Sequence, residues 1–193
     1  MSDAAAEIAF LAGDGCPASF GSVSARGELA RRLARCVPHF PRPVARISAR
    51  LVGDDAMDEA HRRYSGIPGT TDVLSFPAHD ESDPAAAVEV DLIVAVPVAE
   101  REAALRGHDA AREILLYAVH GTLHACGLRD DTAAAAAEIH AEEDRILRAA
   151  GEGAVYAAAP RGAREDPSEG SSEGSSEDSS EDSSGTTPAE PAP

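Results

Sequence analysis

The chain predicts an α+β fold in which helices pack on a small mixed β-sheet. Three observations carry this. Stretches of period two and of period 3.6 follow one another without strict alternation. The helical stretches gather toward the end of the domain. One of them is apolar over a wide face, as a central, buried helix requires.

Taken in order, Glu7–Leu11 reads as a strand. Gly27–Val37 places Leu29, Leu33 and Val37 on one face and reads as a helix. Arg46–Val52 alternates Ile47, Ala49 and Leu51 with Ser48 and Arg50, the signature of a half-buried strand. Asp55–Tyr64 reads as a helix capped by Asp54 or Asp55. Val73–Phe76 and Val88–Val96 read as strands, the second long and apolar. Pro97 stands at the first position of a helix running to Leu105. Asp109 caps the next, Asp109–Cys126, whose apolar face holds Ile114, Leu115, Ala118, Val119, Thr122 and Leu123. The last helix, Thr132–Ala150, is capped by Asp131 or Thr132.

After Pro160 the composition changes to Ser, Glu, Asp, Gly and Pro in a loose four-residue repeat, with no hydrophobic cluster. Such a segment buries too little surface to offset its chain entropy, so 160–193 is expected to be a disordered acidic tail. Residues 1–159 then form one domain, and ~160 residues suffice for one core. The 193-residue chain carries a net charge of −17 and no lysine. Nine acids and two arginines give residues 161–193 a charge of −7, which leaves −10 on the body. Cys16, Cys36 and Cys126 show no metal or redox spacing, which suits the cytoplasm. Met1–Gly15 has no basic stretch of the kind that opens a signal peptide. No run approaches the twenty or so apolar residues of a membrane span.

The chemistry concentrates in His120-Gly121-Thr122-Leu123-His124-Ala125-Cys126-Gly127-Leu128-Arg129-Asp130-Asp131. Histidines at i and i+4 share a helix face, so both imidazoles can reach one metal ion. Gly127 offers a left-handed C-cap, and the turn after it can return Asp130 to the same face. The expected metal site therefore lies on the central helix and the turn after it. Three protein ligands leave one position open, as catalytic sites do. His140, midway along the last helix, is the alternative third ligand. Two core histidines bonded to backbone carbonyls are the structural alternative to a metal site. Zinc proteases with this histidine spacing carry H-E-x-x-H, with Glu as general base. Gly121 stands at that Glu position, so water activation falls to the ion, to Asp131 or to the substrate's own phosphate.

H-G-x-L-H-x-x-G-x-x-[H/D] resembles the signature of the YbeY proteins, bacterial metal-dependent endoribonucleases of rRNA maturation and ribosome quality control. Thr71-Asp72-Val73-Leu74-Ser75-Phe76-Pro77 is similar to that family's T-D-V-L-S-F-P segment. Val90-Asp91-Leu92-Ile93-Val94 is similar to its G-D-I-x-I strand, with Val90 where glycine is usual. Glu138 and Glu143 fall where its last helix carries acids. The resemblance is strong over 45–148 and weak before it. Asp130 replaces the commoner third histidine, and a carboxylate is a good zinc ligand. His61 and Ser65 stand where the family has Asn and an Arg that faces the RNA phosphate.

The resemblance implies a metal-dependent endoribonuclease specific for single strands. It would hold one Zn2+ per chain on His120, His124 and Asp130; nickel and iron also suit such a site. The ion would polarise a phosphodiester oxygen or supply hydroxide. His61 is the candidate to contact substrate or offer a proton, with a plain helix-surface histidine as the alternative. Arg63 and Arg129, with Arg62, are the candidates to replace the missing arginine. Thr71–Pro77 would border the cleft, with Ser75 near substrate. The implied partners are rRNA or other single-stranded RNA and the ribosome or a ribosomal protein; no membrane is implied. The acidic body argues against tight RNA binding by the protein alone, so either arginines concentrate at one cleft or the protein acts when docked on a ribosome or a partner. The tail either confers solubility or mimics phosphate and competes for the cleft. Two other functions remain. One is a non-catalytic ribosome-assembly factor with a structural metal, which an acid-walled site would favour. The other is a metallohydrolase of some other small substrate.

Overall fold

The computed structural model describes residues 5–156; the acidic segment read over 160–193 lies outside them. Four strands and six helices follow the order β1 (Glu7–Ala12), α1 (Ala18–Gly21), α2 (Val23–Cys36), β2 (Val44–Val52), α3 (Asp54–Ser65), β3 (Val73–Pro77), β4 (Val88–Ala95), α4 (Val96–Arg106), α5 (Ala110–Ala125) and α6 (Ala133–Ala149). A 3₁₀ turn, Val37–His39, follows α2. The sheet is small and mixed, in the spatial order β1-β2-β4-β3. β1 and β2 pair in parallel, as do β2 and β4, whereas β3 runs antiparallel to β4 on the outer edge.

Each element follows from its residues. In β2, Ile47, Ala49 and Leu51 are buried, while Arg46, Ser48 and Arg50 are not, so the alternation in sequence becomes two faces. Arg46 lies across from β4 and pairs with Asp91 at 2.7 Å and Glu89 at 3.3 Å on the more open face. On the other face Val88, Val90, Leu92 and Val94 of β4 join the main core with residues from α2, α5 and α6. A smaller cluster of Val52, Met57 and Ala95 seats α3.

α5 is the central helix. Eleven of its residues are buried, including Ile114, Leu115, Val119 and Leu123. Asp109 caps it by accepting from Arg112 N at 2.8 Å. The buried Thr122 hydroxyl donates to Ala118 O at 2.7 Å, so this polar group costs little. Gly127 takes φ 102°, a left-handed value that ends the helix and turns the chain. Thr132 caps α6 by accepting from Ala135 N. The cap of α3 differs from the expected Asp54 or Asp55: Gly53 holds that position and the two acids lie in the first turn, where they favour the positive end of the helix. His108, just before α5, tucks its Nε2 3.0 Å from the buried Glu113 carboxylate, which also receives Arg106. Among the described residues, no helix is long and apolar enough to cross a membrane.

Candidate metal centre

α5 presents His120 and His124 on one face, and the Gly127 turn returns Asp130 to them. His120 Nε2 and His124 Nε2 lie 2.9 Å apart. Asp130 Oδ2 lies 3.6 Å from the first and 3.7 Å from the second. The three ligand atoms fall within 4.8 Å of one another.

The opposite ring nitrogens are tied down. His120 Nδ1 is 2.5 Å from Oε1 of Glu143, a fully buried residue of α6. His124 Nδ1 is 3.0 Å from Leu128 O, on the turn after the helix. Both partners are acceptors, so each Nδ1 carries the hydrogen and each Nε2 exposes its lone pair. Two such lone pairs at 2.9 Å repel unless a cation or a proton lies between them. Tetrahedral zinc with N and O ligands sets its ligand atoms roughly 3.3–3.5 Å apart, and the observed spacings bracket that value. The donor set therefore fits the ion. Burial disfavours a charged His120, but the hydrogen bond and charge of Glu143, with the charges of Asp72 and Asp130, outweigh it and raise the imidazole pKa. That same negative surrounding favours a cation at Nε2.

The trio opens into a cleft of about 470 Å³. Its lining includes Thr71 and Asp72 at the entry to β3, Val73, Leu74, Ser75 and Pro77 along it, and Leu128, Arg129 and Asp130 along the turn. Consecutive residues of one strand line it because β3 is an edge, so the cleft runs along the free side of the sheet. Gly121 explains how the helix comes this close. A Cβ there would meet Ser75 Oγ at 2.6 Å and Leu92 Cδ2 at 2.8 Å. The glycine that removes the general base of a zinc protease is thus also the glycine that lets α5 lie against β3 and β4.

The other site expectations fare unevenly. Arg129 lines the cleft. His61 does not; its Nδ1 is 2.9 Å from Gly69 O and helps hold the loop between α3 and β3. Arg63 is also outside the lining, with its guanidinium 5.6 Å from the centre of the Tyr64 ring. Arg62 pairs with Asp58 at 2.5 Å. Ser65 is the exposed last residue of α3. His140 stacks on Tyr156 at 4.1 Å and stands apart from the trio. Asp131 is not among the lining residues, whereas Asp72 and Glu81 are. Asp72 lies within the T-D-V-L-S-F-P stretch, and its place in the cleft is set by the fold rather than by any local pattern. Its Oδ1 accepts from Val73 N at 2.8 Å and from the Thr71 hydroxyl at 3.0 Å, which shapes the entry to β3. Cys126 packs at the core, where burial pushes its thiol up to about 11, a value that suits a packing residue.

The description "Endoribonuclease YbeY" belongs to the family whose model matches residues 28–151. An endoribonuclease YbeY of Moorella thermoacetica is 42% identical over 115 residues, covering 55% of this chain and 74% of its own. That of Mycolicibacterium smegmatis is 37% identical over 93 residues, covering 44% of this chain and 52% of its own. That of Mycolicibacterium paratuberculosis is 33% identical over 113 residues, 54% of this chain and 64% of its own. The chain thus spans between about half and three quarters of these relatives' lengths. A Thermotoga maritima protein known from its solution structure aligns with a TM-score of 0.50 at 20% identity, over 73% of this chain and 88% of that one, a likeness of fold.

Proposed function

The chain belongs to the endoribonuclease YbeY family, and from that premise we propose that it cleaves single-stranded RNA at the His120, His124 and Asp130 centre, in rRNA maturation and ribosome quality control in the cytoplasm. The observation that carries the proposal is the convergence of two Nε2 lone pairs and one carboxylate oxygen on an open cleft, each imidazole fixed from behind. His120, His124 and Asp130 would hold one zinc ion. Zinc so held supplies Lewis acidity toward a phosphodiester oxygen and toward water.

The remaining work falls to the chain itself. Glu143 and Leu128 O keep the two rings in the tautomer that leaves Nε2 free. Arg129, exposed at the cleft, is placed to hold a phosphate by two hydrogen bonds. Asp72 and Glu81 are the lining carboxylates outside the ligand set, and so the residues available to take a proton there. The Ser75 hydroxyl forms part of the wall, against α5.

One observation favours the competing reading, a non-catalytic assembly factor with a structural metal. The lining carries three acids, Asp72, Glu81 and Asp130, against one arginine, Arg129. A divalent ion offsets two of those charges, which leaves the cleft close to neutral. The test is elemental analysis of protein purified without added metal, paired with cleavage of an unstructured RNA. The expected result is near one ion per chain and cleavage. His124→Ala should lose nearly all metal and cleavage together. Asp130→Ala should weaken metal binding by about 10–100-fold or more, and Asp130→His should restore it. Full metal content in His124→Ala would refute the site, and metal-loaded protein that cuts no RNA would refute the endoribonuclease reading.

A further inference from the structure

Tyr64 is a large aromatic side chain left 56% exposed. It packs edge-to-face on Phe76, with ring centres 4.9 Å apart. Phe76 sits on β3 between Ser75 and Pro77, both of which line the metal cleft. The loop after α3 is pinned as well. Gly66 N donates to Arg62 O at 3.1 Å, and Gly69 N donates to Asp58 Oδ1 at 2.6 Å. His61 binds Gly69 O from the other side. Ile67 on the same loop is 54% exposed. The Arg63 guanidinium lies over the Tyr64 ring, 5.6 Å from its centre, and among the described residues it makes no ion pair and no hydrogen bond. Most other arginines are engaged, for example Arg46 with Asp91 and Arg62 with Asp58.

We propose that Tyr64, with the Arg63 guanidinium over its ring, is a stacking platform for an unpaired base of a single-stranded RNA that crosses the β3 edge from the metal cleft. The inference rests on the endoribonuclease reading and adds a binding position to it. Aromatic rings stack every base through its π-face, and a guanidinium plane stacks and adds positive charge. A strand bound this way gains affinity without a strongly basic surface, which matters in a body of charge −10. The ring, already packed on Phe76, costs little entropy on binding, and Arg63, without an ion pair or hydrogen bond among the described residues, can give up the ring face to a base. The apolar surface is one ring and one isoleucine. A stable protein partner needs roughly 800 Å² on each side, whereas a base needs one ring face.

The platform also has its own signal. The chain has three tyrosines and no tryptophan; Tyr117 is buried and Tyr156 is half-buried against His140. Stopped-flow mixing of the metal-loaded full chain with a short oligo-uridylate at low salt should quench tyrosine emission before cleavage. Tyr64→Leu should lose that quench and bind roughly tenfold more weakly. Tyr64→Trp should bind at least as well and report the quench at tryptophan wavelengths. A sugar-phosphate strand without bases should quench neither. Undiminished affinity and quench in Tyr64→Leu, or equal quenching by the baseless strand, would overturn the platform. So would quenching that grows with protein concentration in the absence of RNA, which would mean that a second copy covers the ring. If Tyr64→Leu binds like the parent while His124→Ala abolishes cleavage, the platform fails and the endoribonuclease reading stands. If the parent cleaves no RNA yet loses its quench in Tyr64→Leu, the reverse holds.

Discussion

Glu143 illustrates how one buried residue can govern a site it does not enter. An ionised carboxylate taken out of water costs several kcal/mol unless it is paired. Here the His120 imidazole is its partner at 2.5 Å, and the nearby Tyr156 phenol has its pKa raised by burial and then by the Glu143 charge. A cation bound at Nε2 of the His120 ring improves that balance, so Glu143 and the cation stabilise each other. Glu143→Gln keeps the shape and removes the charge. Zinc affinity measured by competition with a chelator should fall by about 10–100-fold, with the fold retained by circular dichroism. Unchanged affinity would show that the His120 ring is held by its surroundings alone. The sequence did place an acid at position 143, and a further signal was present. Glu143 lies on the apolar stripe of α6 with Ile139, Ile146 and Leu147, all buried. A carboxylate on a buried stripe demands a partner. Which partner was beyond reach, because His120 is 23 positions away in the chain.

At the scale of elements, α5 lies close against β3 and β4, and Gly121 permits it. Gly121→Ala forces a methyl toward Ser75 Oγ and Leu92 Cδ2. Overpacking of this kind costs about 1–3 kcal/mol, and the melting temperature should drop accordingly. A melting temperature equal to the parent's would mean that β3, as an edge strand, gives way freely. A second joint ties the chain after α6 to α2. The Glu152 side chain is 8% exposed and accepts from Arg32 at 2.6 Å and from Arg35. Burial pushes its pKa up, but the bonds and charges of the two arginines prevail and hold it below the ordinary value. A lowered folded pKa contributes stability above the unfolded pKa, and that contribution is lost as pH falls through the folded value. Glu152→Gln should therefore melt below the parent at pH 7, and the gap should close below about pH 4. A gap that persists in acid would assign the effect to shape rather than charge.

Periodicity made these elements legible before their arrangement. The alternation of β2 and the wide apolar face of α5 both appear in the fold. The four-residue α1 escaped, since one turn carries no period. Strand order escaped too: nothing local says that β3 pairs antiparallel on the far side of β4. The His120, His124 and Gly127 pattern is local, within one helix and its stop, and could be read. Arg63 and His61 depend on how α3 rotates against the sheet, which sequence does not state. The structure turns one toward Tyr64 and the other toward Gly69.

At the scale of the whole molecule the problem is charge. A protein of −17 that handles RNA must overcome long-range repulsion before any contact forms. Residues 161–193 hold −7 of that charge and no hydrophobic cluster. Their composition offers nothing to a core, so their removal should leave the melting temperature unchanged within error. A clear drop would mean that the segment docks on the body. RNA affinity should respond differently. With the segment removed the net charge falls to −10, and association with an oligonucleotide should strengthen most at low salt. At about 0.15 M salt the screening length is ~8 Å, and a general field should fade there. A segment that occupies the cleft would behave otherwise. Arg129 is the arginine of that lining, so an acidic repeat in competition with phosphate would meet it directly. Arg129→Ala would then abolish most of the gain from deletion, whereas a general field effect would survive the substitution. Equal affinity of full-length and shortened chains at low salt would remove both effects and leave the segment a role in solubility.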